Sequence, residues 1–231
     1  MAVDAVIFDW GGTLTPWRTI DAAQEWRTLA EVAAPGRVDE VTRALVQAST
    51  QVWARSRDEH RSATIEEICM LAGLPYDLAH WDGYREFWEH ATFIDPDAPP
   101  LFEALRADGV KVGVLSNTLW PAAWHEEIFV RDGVFDLIDG AVYTSTIAWT
   151  KPAPQAFQAA MAAVGATDPG ACVFVGDRLF DDIHGAHTAG MRTVYLPHSD
   201  IPQEQIGHTL GEPDAVVHRL SEILSVIAAW R

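Results

Sequence analysis

The sequence predicts an α/β fold: a doubly wound, mainly parallel sheet carrying an inserted α-helical domain. Three observations predict it. Helix and strand patterns alternate from about residue 98 to the C-terminal end. One apolar strand, "VDAVIF" at 3–8, stands far ahead of that alternation. Between the two, residues 20–91 carry only helical periodicity. Alternation of this kind builds a parallel sheet covered on both faces. Four successive helices cannot be crossovers between neighbouring strands, so they are read as an insert.

The elements follow in order. The strand 3–8 leads into "FDWGGTLT", where an apolar run stops at Asp9 and glycines follow. The helical stretch reads as "IDAAQEWRTLAEVAA", "RVDEVTRALVQASTQVWARS", "TIEEICMLAGL" and "DLAHWDGYREFWEHA", each with apolar residues three and four apart. Pro35-Gly36 and Gly73-Leu74-Pro75 punctuate it. The turn-rich "FIDPDAPP" at 93–100 is a hinge. The expected domains are therefore a core of 1–16 and 96–231 and an inserted helical domain of 17–95. A helix at 98–108 then leads to the strand "VKVGVLS", a helix at 121–130 to "GAVYTS", and a helix at 154–164 to "ACVFVGD". A helix at 181–189 leads to "RTVYL", a last strand "DAVV" follows, and "SEILSVIAAWR" is an amphipathic closing helix.

Composition narrows the function. The chain has 231 residues, 48% hydrophobic and 21% charged, an ordinary globular balance. It carries 33 acidic against 16 basic residues, a formal charge of −17. That excludes nucleic acid as the expected partner, because a phosphate backbone needs a basic face. Only Lys111 and Lys151 are lysines, so a lysine at a motif position carries information. Cys69 and Cys172 fall in different substructures and read as buried thiols of a reducing compartment. No apolar run approaches the length that spans a bilayer. The first residues lack the pattern of an export signal. A cytoplasmic location, no membrane partner, and a monomer or homodimer are expected.

In open parallel sheets ligands bind beyond the carboxyl ends of the strands. The first strand ends in Asp9, the second in Ser116-Asn117-Thr118, and the third is followed by Lys151-Pro152. The fourth ends in Gly176-Asp177, with Asp181 and Asp182 close behind. Each alone has a plain structural explanation, such as a helix cap. Together they converge acids, a hydroxyl and one of the two lysines on one sheet edge. Clustered carboxylates repel unless a cation intervenes. Oxygen ligands without a His or Cys cluster favour Mg²⁺. Mg²⁺, a lysine and a hydroxyl together suit a transferring phosphoryl group. Asp9 is then a candidate nucleophile.

These residues resemble the motifs of the haloacid dehalogenase superfamily, over nearly the whole chain and with the helical cap placed after the first strand. "FDWGGTLT" is similar to the first motif, "VLSNT" to the second, "TKPAPQAF" to the third and "VFVGDRLFDDIHGAHTAGM" to the fourth. The resemblance implies a Rossmann-like core and a two-step hydrolysis through an aspartyl intermediate on Asp9. It implies that Ser116 binds phosphate and that Lys151 holds nucleophile and phosphate. Mg²⁺ would be held by Asp9, Asp177 and the main-chain carbonyl of Gly11. The second acid matches Asp182, with Asp181 the neighbouring alternative. Gly12 lets the backbone approach the phosphate, Asn117 belongs to the binding loop, and Thr13 bonds the phosphate or orders the loop.

The sequence departs from phosphatases of this superfamily at one place. They carry a second Asp two residues after the nucleophile, where this chain has Gly11. Loss of a general acid costs about 10²–10⁴ in rate. Three readings follow: a Mg²⁺-dependent hydrolase of a small anionic, phosphorylated metabolite, either with a good leaving group such as an acyl phosphate or with an acid borrowed from the cap; a 2-haloacid C–halogen hydrolase; or a degenerate protein that binds without turnover. Phosphonoacetaldehyde hydrolases share the Asp-Trp start but need a cap lysine, and no lysine lies between residues 1 and 110. In the insert, "WARSRDEHRSA" offers Arg57, His60 and Arg61 for an anionic substrate, with His60 also the candidate for a proton donor borrowed from the cap. Trp10 beside the nucleophile is a candidate pocket wall.

Overall fold

The structure, a computed structural model, describes residues 2–197 and 209–230. Among them six parallel strands form one sheet: β1 (Ala5–Phe8), β2 (Lys111–Ser116), β3 (Gly140–Tyr143), β4 (Cys172–Gly176), β5 (Arg192–Tyr195) and β6 (Ala215–Val216), in the order β3-β2-β1-β4-β5-β6. β1 is central and all four of its residues are fully buried, which is why it reads as an unbroken apolar run. Its side chains alternate between two cores. Val6 and Phe8 join the cluster under α5 (Ala98–Ala107), whereas Ala5 and Ile7 join the cluster under α7 (Pro154–Ala163). Phe8 packs on Phe102 at 5.2 Å between ring centroids. Each fully buried aromatic of this kind contributes on the order of 2–3 kcal/mol.

Between β1 and β2 lie α1 (Ala22–Ala33), α2 (Val38–Glu59), α3 (Ile65–Leu71) and α4 (Asp82–Glu89). Asp21 caps α1 by accepting from the Ala23 and Gln24 N–H groups, and Thr64 caps α3 through Glu67 N–H. These helices bury a separate cluster around Trp26, Leu45, Ile68, Trp81 and Tyr84. Leu119 and Trp124, from the loop after β2 and from α6 (Ala122–Arg131), complete it.

Two expected elements differ. The helix expected at 181–189 is a π-helical turn, Leu179–His184, followed by α8 (Gly185–Thr188). Its wide turn is closed by Ile183 N–H on the Arg178 carbonyl, a five-residue spacing that takes up an extra residue beside the two acids. The closing helix, α9 (Ile223–Ala229), is shorter than expected because a 3₁₀ turn at Leu220–Glu222 opens it; Arg231 lies outside the described residues. Among the described residues no helix is long and apolar enough to cross a membrane.

Candidate active site

Register explains how distant segments meet. Phe8 pairs with both Val114 and Val175. The residues just beyond, Asp9, Ser116 and Asp177, therefore share one edge of the sheet. Asp9 is tied to the sheet by its N–H on the Val175 carbonyl, 2.8 Å. The chain then folds on itself, with the N–H groups of Thr13, Leu14 and Thr15 all directed at the Trp10 carbonyl. Gly12 is required there. Its φ is +93°, and a Cβ would stand 2.6 Å from an Asp177 carboxylate oxygen. Gly176 is required for a second reason, since a Cβ would lie 2.4 Å from the Asp182 carboxyl carbon. Gly11 has neither constraint, with open space where a Cβ would go.

Lys151 is the hub. Its Nζ donates to Asp9 Oδ1 at 2.5 Å and to Asp182 Oδ1 at 2.7 Å, all three side chains being buried. Burial alone would lower the lysine's pKa, but Asp182 and Asp9 outweigh it and hold the ammonium charged. Thr13 Oγ1 donates to Asp9 Oδ2 at 3.4 Å. Asp182 Oδ2 accepts from Arg178 N–H at 2.9 Å. Its pKa is pushed up to about 7 by burial and by Asp9, against the pull of Lys151. Asp177 is held well above the usual carboxylate range, by burial first and then by repulsion from Asp9 and Asp182. Both its oxygens are buried without a hydrogen bond. One oxygen from each of Asp9, Asp177 and Asp182 fits within a 4.8 Å span. Three carboxylates with an unsatisfied pair of oxygens fit a hard divalent cation. The π-helical turn is what brings Asp182 into this group; Asp181, one residue earlier, is only half-buried and lies outside it.

Other candidates are placed as follows. Ser116 is buried at the end of β2. Asn117 is tied to the loop of Lys151. Its side chain accepts from Lys151 N–H at 2.9 Å and donates to the Lys151 carbonyl at 3.1 Å, clamping the lysine's backbone. Trp10 stands edge-on to His125 at 4.5 Å and near Trp120 at 5.8 Å, with its indole N–H buried and unpartnered. His60 is half-buried at the end of α2. Arg57 is not brought to the site: it is exposed and paired with its neighbour Asp58 at 2.8 Å. Arg61 is also exposed and lies over the Trp149 ring at 4.5 Å. Arg57 on the last turn of α2 and Arg61 just past its end both carry their heads to solvent, which is the physical reason the basic cluster does not converge.

Sequence reasoning passed over Arg178. Its guanidinium lies 3.5 Å from Asp177 Oδ2 and 4.3 Å from the Trp17 ring. A basic residue directly after a motif acid was the available signal. It also passed over His125, wholly buried and bonded through Nε2 to Thr118 Oγ1 at 3.0 Å. A cavity of about 400 Å³ lies between α4 and α6, walled by Trp88, Trp120 and Trp124 and crossed by the Arg85–Glu127 ion pair; no member of the acid cluster lines it.

A sheet of this order, with a buried acid–lysine cluster at the carboxyl ends of its central strands, defines a class of α/β hydrolase in which the charged group sits at the topological switch point. The chain belongs to the haloacid dehalogenase-like hydrolase family, whose profile matches residues 3–190. It is 27% identical to "Phosphatase MT3486" of Mycobacterium tuberculosis over 94% of this chain and 98% of that one. It is 33% identical to a glyceraldehyde 3-phosphate phosphatase of Methanopyrus kandleri over 57% of this chain, a match spanning 55% of that protein's length. Among solved structures it resembles a HAD phosphatase from Thermococcus onnurineus, with TM-score 0.67 and 23% identity over 97% of this chain and 98% of the other. It resembles a 2-haloacid dehalogenase from Pseudomonas syringae equally, with TM-score 0.66 and 23% identity over 99% and 100%. These two structural likenesses concern the fold.

Proposed function

We propose that the protein is a Mg²⁺-dependent phosphatase of small phosphorylated metabolites, working through an aspartyl intermediate on Asp9, with residues 17–95 as the cap over the site. One observation carries the reading. Asp9 and Asp182 share the Lys151 ammonium, while both oxygens of Asp177 stay buried without a hydrogen bond. A halide leaves without needing that third acid. The phosphatase relatives support the same side.

Asp9, Asp177 and Asp182 would hold the metal. When bound, Mg²⁺ would neutralise charge on the phosphoryl oxygens. The protein's own groups do the rest. Lys151 aims Asp9 through its hydrogen bond, and its ammonium offers a positive charge to phosphate. Ser116 Oγ offers a hydrogen bond from the neighbouring strand end. The open backbone at Gly11 and Gly12 leaves room for the phosphoryl group. Asp9 attacks phosphorus, the ester oxygen departs, and water then releases phosphate from Asp9.

The test is phosphate release from a panel of phosphate monoesters with Mg²⁺ and with EDTA, alongside halide release from 2-haloacids. Mg²⁺-dependent phosphate release that Asp9→Asn lowers by about 10⁴-fold or more is expected. Halide release that survives EDTA would replace this reading with dehalogenation.

A further inference from the structure

Cleavage of a phosphate ester leaves an alkoxide that must be protonated, and position 11 offers only glycine. In an in-line displacement the leaving oxygen lies opposite the nucleophile. The end of α2 docks on the strip that leads to Lys151, with Thr150 N–H on the His60 carbonyl at 3.0 Å. We infer that His60, at the end of α2, is the proton donor to the leaving oxygen; this rests on the phosphatase reading above.

Four observations support it. His60 is the one described non-glycine residue at positive φ, 54° with ψ 35°. It closes α2 as a left-handed cap, His60 N–H bonding the Ser56 carbonyl at 3.0 Å, and turns the chain out of the helix. The chain beyond is held in place. The His60 carbonyl accepts from Thr150 N–H at 3.0 Å, Arg61 bridges to Trp149, and Ser62 N–H bonds the Ala148 carbonyl at 3.3 Å. Ser56 Oγ meets Thr150 Oγ1 at 3.3 Å one turn earlier. The next residue after Thr150 is Lys151. The end of α2 is thus fastened to the backbone that carries the site's ammonium.

The ring itself points inward. It is half-buried, and its Nδ1 is sealed from solvent without a hydrogen-bond partner. The Phe180 ring of the π-helical turn lies 6.3 Å away, tilted at 54°, and stacks in turn on His184. Glu59 and Arg61 flank His60 along the chain and are exposed. The imidazole is thus packed against the turn that carries Asp182, on an element fastened to the strip that leads to Lys151.

The step balances. Asp9 forms a bond to phosphorus, and the phosphorus–ester bond breaks with its electron pair passing to the leaving oxygen. The imidazolium proton passes to that oxygen, giving a neutral alcohol and a neutral imidazole. Water then attacks phosphorus and gives its proton to the imidazole. Phosphate and the Asp9 carboxylate are released. Histidine is the side chain most used for such transfers.

The experiment compares a nitrophenyl phosphate, whose leaving group needs no proton, with a phenethyl phosphate, whose leaving group does. The variant is His60→Asn, because asparagine accepts a left-handed backbone. The alkyl ester should lose about 10²–10⁴ in kcat/KM and the aryl ester less than about ten-fold. His60→Gly, with added imidazole, should regain alkyl ester hydrolysis, since glycine keeps the backbone and leaves a gap. Equal losses on both esters, or no loss on the alkyl ester, would overturn the assignment while leaving the phosphatase reading intact. Wild-type protein that cleaves neither ester in Mg²⁺ would overturn both.

Discussion

The rim of the sheet and the end of α2 meet beside Lys151, yet they are built on different terms. At the rim, Asp9, Ser116 and Asp177 are placed by strand register, and Lys151 follows a loop clamped by Asn117. Position along the chain and position in space are nearly the same information there. At the end of α2, Arg57, His60 and Arg61 lie within five residues but point in different directions. Helix rotation and one left-handed residue decide which of them faces inward. A charged residue at a strand tip thus declares its role, whereas one on a helix end does so only once the docking partner is known.

That contrast can be broken by moving the acid from one region to the other. Gly11→Asp places a carboxyl at the rim, where the backbone has room for it and φ lies outside the left-handed range. In wild-type protein the gain on an alkyl phosphate should stay within about ten-fold, because a donor is already present. In a His60→Asn background the same change should restore about 10²-fold or more. Phosphate release from phenethyl phosphate in the four proteins measures both. A large gain in the wild type would show that the rim lacks an acid and that α2 supplies none.

The strands, their order of use and the site at their ends were legible because burial on both faces leaves apolar runs that stop at polar tips. The four helices were legible from periodicity, and their shared core follows from Trp26, Leu45 and Trp81 falling on inward faces. Three features were not legible. The π-helical turn depends on one extra residue whose accommodation periodicity does not reveal; it decides between Asp181 and Asp182. The bond of Asn117 to the backbone of Lys151 joins residues 34 apart in sequence. The docking of 56–62 on 147–150 is set by the tertiary packing of α2, to which no local pattern points.

Behind the rim lies a second contrast, between ion-paired buried charge and buried charge avoided. Burial drives the pKa of His125 down to about 3. Its ring stacks on Tyr143 at 4.6 Å and abuts Trp10, leaving no room for a counter-charge. In the unfolded chain this histidine takes up a proton as pH falls through its ordinary range, and the folded protein does not. Stability therefore rises with pH between roughly 3 and 6.5, by about 1.4 kcal/mol per unit. Urea unfolding of wild type should lose about 2 kcal/mol more between pH 7 and pH 5 than His125→Phe does. The variant keeps the ring packing and forfeits the bond to Thr118, about 1 kcal/mol at every pH. Identical pH slopes in the two proteins would mean that His125 is not held neutral by the packed rings.

The smallest effects belong to the arginines at the end of α2 and just beyond it, and they sharpen the distinction most finely. Arg57 is exposed and its partner Asp58 is its own neighbour, so the pair is formed in the unfolded chain nearly as readily as in the folded one. Arg57→Ala should change stability by less than about 0.5 kcal/mol and KM by less than about two-fold. Arg61 is exposed too, but its guanidinium covers Trp149 at the docking strip. Arg61→Ala should cost about 0.5–1 kcal/mol, the worth of an exposed cation–aromatic contact. KM for an anionic substrate should still hold, because neither head faces the acid cluster. Thermal unfolding read beside Michaelis kinetics separates the two arginines: one loses nothing, the other loses stability alone. A rise in KM for both variants, with stability unchanged, would instead mean that the basic residues turn inward on substrate and that the end of α2 is a binding surface as well as a fastening.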